Sequence, residues 1–561
     1  MTTQTSATEN THTVDLLVVG SGTGMAAALA ANELGLSCLI VEKTGYVGGS
    51  TARSGGAFWV PANPVLRRSG SPDSLAEGRR YLAAVVGDGV PPERVESFLD
   101  NGSSMVDMLS RTTGMKFTWA KGYSDYHPER PGGSVVGRTC ECLPFNASVL
   151  GANRKTMRPG ILNPPIPMPI TGGDYRLVNL IASFPQKAVP RMLKRAFQGV
   201  GGLLIGRRYV AAGQALSAGM YAGVLRAGIP VWTQTSLTQL TVDDGTVTGA
   251  VLRRGAETIK VVARRGVVLA AGGFDHRMDW RHKFQSESLV EGFSLGAEGN
   301  TGDAIRLAQE VGADITLMDQ AWWFPAFAPL PGGEPPMMLA ERSLPGSLIV
   351  DQSGSRFVNE ACDYMSFGQR LLAREHAGNP VEQMWLIFDQ KYRNSYLMAG
   401  EIYPRMSIPK SWYDAGIAYR SDTFADLAAK VGLPVETFNA TVARFNQIAA
   451  GGTDPDFGRG TSAYDWYYGD PSVKPNPNLR SLDRGPFYAV KAVLSDLGTC
   501  GGLRADAHAR VLREDGAVID GLYAIGNTAA NAFGTTYPGA GATIGQGLVF
   551  GYVAAHDAAR P

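Results

Sequence analysis

The feature that most constrains this chain is a glycine loop set between an apolar strand and a helix near its start. Residues 15–19 read as a buried strand, Gly20-Ser21-Gly22-Thr23-Gly24-Met25 forms the loop, residues 25–34 read as a helix, and residues 37–41 read as a second strand ending at Glu42. This order predicts a βαβ unit on a parallel sheet, with a dinucleotide pyrophosphate on the helix N-terminus, where backbone N–H groups and a partial positive charge face outward. Gly20 and Gly22 are the first two glycines of the phosphate-binding fingerprint, and Met25 takes its last position, with Gly24 one place early. Glu42, twenty residues after Gly22, can accept hydrogen bonds from both ribose hydroxyls and would repel a 2′-phosphate.

Three further tracts extend this site. Lys43 follows the carboxylate, and the stretch 45–61 contains Gly48-Gly49-Ser50-Thr51 and Ser54-Gly55-Gly56, which suits close backbone approach to an extended ligand. Residues 261–273 read as a buried strand running into a turn at Ala271 and Gly272, and the turn 299–303 opens an amphipathic helix, with Thr301 or Asp303 near its cap. The last seventy residues return to the same grammar: a strand at 521–525, a turn at Gly526-Asn527, and a Gly/Ala-rich helix carrying Ala542, Thr543 and Ile544. A second block of this kind, closing on the same ligand, favours FAD over NAD. No His or Cys lies in 45–61 to tether a flavin, so noncovalent binding is expected.

The expected fold is therefore α/β: a discontinuous Rossmann-like FAD-binding domain with an inserted α+β catalytic domain. Its segments are a flexible N-terminus at 1–12, the FAD-binding domain at 13–317 and 491–561, and the insertion at 318–490, richer in Trp and Pro. Lys plus Arg number 52 against 51 for Asp plus Glu, so no global charge recruits nucleic acid. The five cysteines are scattered, and Cys140-Glu141-Cys142 has the wrong spacing for zinc or a redox pair, so reduced thiols and no metal site are expected. No signal peptide and no membrane-spanning run is visible, which points to a cytoplasmic protein.

One segment departs from this even balance. Residues 175–242 contain no Asp or Glu but carry Arg176, Lys187, Arg191, Lys194, Arg195, Arg207, Arg208 and Arg226, and 177–205 is apolar in patches. This basic amphipathic excursion, centred on 175–208, either lies on an anionic membrane surface or packs on its own protein or a partner subunit. Contact with the inner face of a membrane would make a quinone the natural electron acceptor. Pro185 and Pro190 are expected to break any continuous helix.

The chain resembles the FAD-dependent flavoprotein family of fumarate reductases and 3-ketosteroid dehydrogenases over nearly its whole length. The resemblance rests on residues 20–56, 267–275, Arg356-Phe357-Val358-Asn359-Glu360 and 521–547. In the fumarate reductases a proton-delivering Arg follows the Arg-Phe-Val-Asn-Glu block, whereas here Ala361-Cys362-Asp363-Tyr364 follows it. The run Ala321-Trp322-Trp323-Phe324-Pro325-Ala326-Phe327 reads as an apolar aromatic wall, suited to a flat ring system with one polar handle and not to a dicarboxylate.

Similarity to the 3-ketosteroid 1-dehydrogenases implies specific roles. Tyr537-Pro538-Gly539-Ala540-Gly541 matches their ketone-binding motif, in which the Tyr537 hydroxyl and the Gly541 N–H donate to the C3 oxygen. Tyr364 falls where they keep the general base, and Tyr126 is the supporting hydroxyl, with Tyr123 its rival. A hydrogen on C2 is acidic only because the ketone can take the charge as an enolate, so donors aimed at that oxygen lower the barrier. A tyrosine base has a reference pKa of about 10 and needs a neighbouring hydroxyl and local positive potential to ionise. The resemblance leaves open a 3-keto-5α-steroid 4-dehydrogenase and an enone or fumarate-type reductase. A flavin-carrying binding module is the alternative from another class.

Overall fold

The structure is a computed structural model that describes residues 10–161 and 166–561. The chain enters through β1 (Asn10–Val19), turns into α1 (Gly24–Glu33) and returns as β2 (Cys38–Val41). Later elements are β3 (Thr139–Cys142), α2 (Gly172–Asn179), α3 (Pro185–Ala196), β4 (Glu257–Leu269), β5 (Ala321–Phe327), α4 (Tyr364–His376), β6 (Phe487–Thr499), β7 (Val518–Ala524) and α5 (Ala542–Ala558).

The first sheet runs β7-β4-β1-β2 with all neighbours parallel, flanked by Arg510–Leu512 at one edge and Val231–Trp232 at the other. Leu16, Leu17 and Val18 are fully buried, so both faces of β1 are covered, and an uninterrupted apolar run is what such a strand requires. The expected frayed terminus is corrected over Asn10 to His12, which pair with Ile259, Lys260 and Val261 because β4 offers them an open row of backbone partners. Residues 1–9 lie outside the described residues.

On one face, α1 is buried almost all round by Met25, Leu29 and a run of alanines, and it packs on α5. Small residues make that contact close: a Cβ on Gly551 would sit 3.2 Å from the Ala27 nitrogen. The α/β fold with a discontinuous Rossmann-like parallel sheet expected from the sequence is thus present, assembled from both ends of the chain.

The inserted sheet is antiparallel. It is ordered β5, β6, Met384–Asp389 and Ser347–Asp351, with Ala418–Ser421 added on β6. The expected boundary at residue 490 falls inside β6, whose far end pairs Thr499 with Ala321. There the two sheets are tied together. Asp275, just after β4, accepts the Thr499 N–H at 2.9 Å, and Arg281 pairs with Asp496 of β6 at 2.8 Å with both side chains buried. Removing either charge would strand the other, costing roughly 3–5 kcal/mol.

The excursion is folded differently from expectation. Pro190 sits inside α3, and Pro185 takes its first turn, where its missing N–H would have no helical partner. α3 loses a single backbone bond at Pro190 and continues. Its basic side is pinned by an acid just upstream of the acid-free stretch: Asp174, fully buried, pairs with Arg191 and Arg195. Its apolar side and the turns that continue it face solvent, with Leu193 65%, Phe197 81%, Leu204 84% and Ile205 66% exposed.

Candidate active site

An elongated cavity of about 500 Å³ runs between the two sheets, and its walls come from residues 19 to 544. At one end stands the glycine loop. Gly20 turns the chain out of β1 at φ +111°, and a Cβ there would lie 2.1 Å from the Ala270 carbonyl oxygen, so only glycine fits. The loop leads into α1, whose cap Thr23 makes no side-chain cap bond; the Met25 and Ala26 N–H groups return to Gly22 and Thr23, leaving those of Thr23 and Gly24 for a ligand. Glu42 lies beyond β2 and accepts the Ser21 N–H and hydroxyl on one oxygen and the Thr44 N–H and hydroxyl on the other, so a ribose hydroxyl binds there by displacing the Ser21 or Thr44 hydroxyl. This donor and acceptor set fits FAD.

Most expected cofactor contacts line this cavity: Gly20, Gly22, Thr23, Glu42, Lys43, Gly49, Ser50, Thr51, Ser54, Gly55, Gly56, Ala271, Gly272, Asp303, Gly526, Asn527, Thr543 and Ile544. Four stand behind its walls. Met25 is fully buried and its N–H bonds to the Gly22 carbonyl, as expected of a residue inside the first turn. Gly24 faces β1, where a Cβ would meet Val18 at 2.8 Å. The Gly48 N–H is taken by Ser21 Oγ, and the Ala542 N–H by the Gly539 carbonyl. Lys43 and Asp303 pair with each other at 2.7 Å, so they form a rim and not two independent contacts.

At the other end three tyrosine rings form a triangle. The centroids of Tyr126, Tyr364 and Tyr537 stand 5.4 Å, 5.1 Å and 5.4 Å apart, and all three line the cavity. Tyr364 is the first residue of α4, where aligned peptide dipoles favour a negative charge. Gly541 caps α5 at φ +91°, and a Cβ there would press the Ala57 carbonyl at 2.5 Å. Its N–H lies close enough to the Tyr537 hydroxyl to favour that group's ionised form, so the two expected donors stand side by side.

Burial raises Tyr364 and Tyr126 well above the ordinary phenol range, and neighbouring tyrosines add to it. The local cation expected to offset this is absent from the leading influences on Tyr364, where a nearby Tyr126 hydroxyl is what favours the phenolate. That hydroxyl is buried with no hydrogen-bond partner at bonding distance.

The aromatic wall is corrected in its membership. Of residues 321–327 only Phe324 lines the cavity, packing on Tyr364 at 4.8 Å. Trp322 stands outside the cavity wall, its ring tilted against Tyr537 at 4.7 Å and its N–H donated to Asn527 at 3.1 Å; the register of β5 shifts between Ala321 and Trp323, which takes Trp322 out of the alternation that Phe324 follows. Trp323 packs against Gly368 of α4 under the Arg281 guanidinium.

Sequence reasoning missed Arg158, Tyr468 and Glu141, all on the cavity wall. Arg158 and Tyr468 sit in no motif. Glu141 was seen only as the residue between two cysteines, although its place in a wholly buried strand was legible. The cations that line the cavity are each paired: Lys43 with Asp303, Arg53 with Glu334 and Arg158 with Glu298. The described residues give a dicarboxylate no free charge to bind, and an apolar ring with a ketone fits instead. Among the described residues there is no metal-binding cluster, and all five cysteines are free.

Comparison with known families matches residues 15–544 to the family described as FAD binding domain. A Mycolicibacterium smegmatis protein named 3-oxosteroid 1-dehydrogenase is 44% identical over 97% of this chain and 97% of its own. A Sinomonas cyclohexanicum protein named 4-oxocyclohex-2-ene-1-carboxylate 5-dehydrogenase is 36% identical over 97% of this chain and 94% of its own. The crystal structure of 3-ketosteroid delta1-dehydrogenase from Sterolibacterium denitrificans, in complex with 1,4-androstadiene-3,17-dione, superimposes with a TM-score of 0.93. It covers 98% of this chain and 99% of that one at 35% identity.

Proposed function

The chain belongs to the FAD-binding flavoprotein family that includes the 3-oxosteroid 1-dehydrogenases, and we propose that it introduces the C1–C2 double bond of 3-ketosteroids. The observation that carries this reading is the triangle of Tyr126, Tyr364 and Tyr537, with the Gly541 N–H, at the end of a cavity that offers a ring ketone donors but offers an acid no unpaired cation. The Tyr537 hydroxyl and the Gly541 N–H hold the C3 oxygen and stabilise the charge that develops there. Tyr364 removes the C2 proton, with Tyr126 favouring its phenolate. When bound, FAD supplies the two-electron acceptor for the hydride leaving C1. Residues of the glycine loop, Glu42, Ser50, Thr51, Asn527 and the first turn of α5 line the cavity and would hold it there without a covalent bond.

The electron acceptor and its location follow from the excursion. The exposed Leu193, Phe197, Leu204 and Ile205, with Lys187 and Arg207 in the same segment, support contact with an anionic membrane surface and transfer to a quinone there. No helix among the described residues is long and apolar enough to cross a membrane.

The test is anaerobic mixing of the yellow protein with 4-androstene-3,17-dione. The expected result is bleaching of the flavin with formation of the 1,4-diene, and loss of bleaching by at least about a hundredfold in a Tyr364→Phe variant that keeps its flavin. Bleaching only by a 5α-reduced 3-ketosteroid would move the double bond to C4–C5. A fully active Tyr364→Phe enzyme would remove the base from Tyr364.

A further inference from the structure

A proton taken up by Tyr364 must leave before the next turnover, and the Tyr364 ring is almost wholly enclosed. Beyond the substrate triangle Tyr126, whose hydroxyl has no partner at bonding distance, meets two further tyrosines among the described residues: Tyr464 at 4.8 Å, whose hydroxyl is buried without a partner, and Tyr123, which belongs to a hydrogen-bonded group. Tyr126 stands 6.3 Å from Tyr123, centroid to centroid, and Tyr123 is stacked on Tyr467 at 4.2 Å and hydrogen-bonded to the Tyr468 hydroxyl at 2.8 Å.

Beside this group, on the same cavity wall, is Glu141 of β3, 6% exposed. Its carboxylate is held against the start of α2, accepting the Gly173 N–H at 3.3 Å. A Cβ on Gly172, itself at the surface, would sit 2.5 Å from Glu141 Oε1, so one glycine separates the carboxylate from solvent. Among the described residues Glu141 forms no ion pair, and Arg191, the cation whose charge reaches it, is already bound to Asp174. The Asp174 charge and the Thr171 hydroxyl act on it from the start of α2, and its own charge acts on Tyr123 and Tyr467, with which it shares the cavity side of the fold. A buried carboxylate without a counter-charge favours taking a proton, and this one is poised between the tyrosines and water.

We propose that Glu141 is the exit for the substrate proton, which passes from Tyr364 through the hydroxyls of Tyr126 and Tyr123 to the Glu141 carboxylate and then to water past Gly172. This rests on the dehydrogenase reading above. The C2–H bond breaks and its proton goes to the Tyr364 phenolate. Each hydroxyl in turn accepts one proton and gives one up, and Glu141 releases one proton to solvent per turnover. The hydride stays with FAD, and no further oxidant takes part. Glu141 touches neither substrate nor flavin in this scheme, so it acts on the base through the chain of hydroxyls.

The experiment follows flavin bleaching and a pH-indicator dye together after anaerobic mixing of the holoenzyme with 4-androstene-3,17-dione. In the unmodified enzyme one proton is expected in solution in step with bleaching. In Glu141→Gln the dye signal is expected to lag bleaching at least tenfold, and Glu141→Asp is expected to restore the pace. Tyr123→Phe, which leaves the carboxylate in place, is expected to show the same lag and covers the case in which Glu141→Gln misfolds. Proton release that keeps pace with bleaching in either variant overturns the proposal and leaves the dehydrogenase reading standing. Failure of the unmodified enzyme to bleach with a 3-ketosteroid overturns that reading itself.

Discussion

At pH 7 Tyr364 is a neutral phenol, because burial and its tyrosine neighbours disfavour the charged form more than Tyr126 favours it. The base is therefore present only as a small phenolate fraction, which grows tenfold per pH unit below its pKa. Since the shift is upward, kcat/KM should rise with pH from about 6 to 9 with a slope near one on a logarithmic plot. In Tyr126→Phe the one nearby hydroxyl that favours the phenolate is gone, so the profile should move to higher pH and activity at fixed pH should fall about tenfold per unit of movement. A pH–rate profile checks both, and a flat profile would mean that another group takes the proton. Tyr537→Phe is expected to act differently, removing one of two donors at the C3 oxygen and lowering kcat by about 10²–10³ with binding less affected. Steady-state kinetics separate the two effects.

Among the elements, α3 carries the clearest unmet demand. It is held to the body by Arg191 and Arg195 on Asp174, and its continuation leaves Phe197 and Leu204 more than four-fifths exposed. Burying side chains of this size is worth about 1.5–3 kcal/mol each, so water is a poor partner for this face. A Phe197→Asp/Leu204→Asp variant should lose co-sedimentation with vesicles of anionic lipid by at least several-fold while its flavin spectrum is unchanged, and added salt should weaken the unmodified protein's binding. Equal sedimentation of both proteins would assign this face to another partner. The pin itself has a pH sense. Burial raises Asp174, but its hydrogen bonds to Arg191, the Thr171 N–H and Arg195 outweigh that and set it below the usual carboxylate range. Its folded pKa is depressed, so the anchoring is present above the unfolded value near 4 and is lost as pH falls through the folded one.

On the scale of the whole molecule, the cavity draws its walls from both ends of the chain and from the inserted sheet, so a bound flavin would add contacts between segments already tied by the parallel sheet and by pairs such as Asp275–Thr499 and Arg281–Asp496. A ligand that binds only the folded chain stabilises it by mass action, about 2.7 kcal/mol at a hundredfold excess over Kd. Removing the flavin is accordingly expected to lower the melting temperature by several degrees, restored on adding FAD. Thermal unfolding with and without flavin measures this, and an unchanged Tm would mean that the two sheets hold together without the ligand.

The sequence by itself determined the parts of this protein that depend on short-range grammar. The Gly20 turn, the buried β1 and the Glu42 carboxylate are set by residues adjacent in the chain, where sterics and periodicity act directly. The Tyr537 to Gly541 segment was legible through its resemblance to a known motif. Only the tertiary structure decided which side chains share a wall. Met25 and Ala542 stand within motifs yet spend their N–H groups inside a helix turn, and Trp322, two residues from Phe324, packs on Tyr537 outside the cavity wall at a shift in the register of β5. Pro190 did not end α3, since packing and the Asp174 pairs compensate for one lost backbone bond. Glu141 acquired its place from contacts with α2 and a distant tyrosine group, which no local pattern encodes, because burial and charge are properties of the assembled chain.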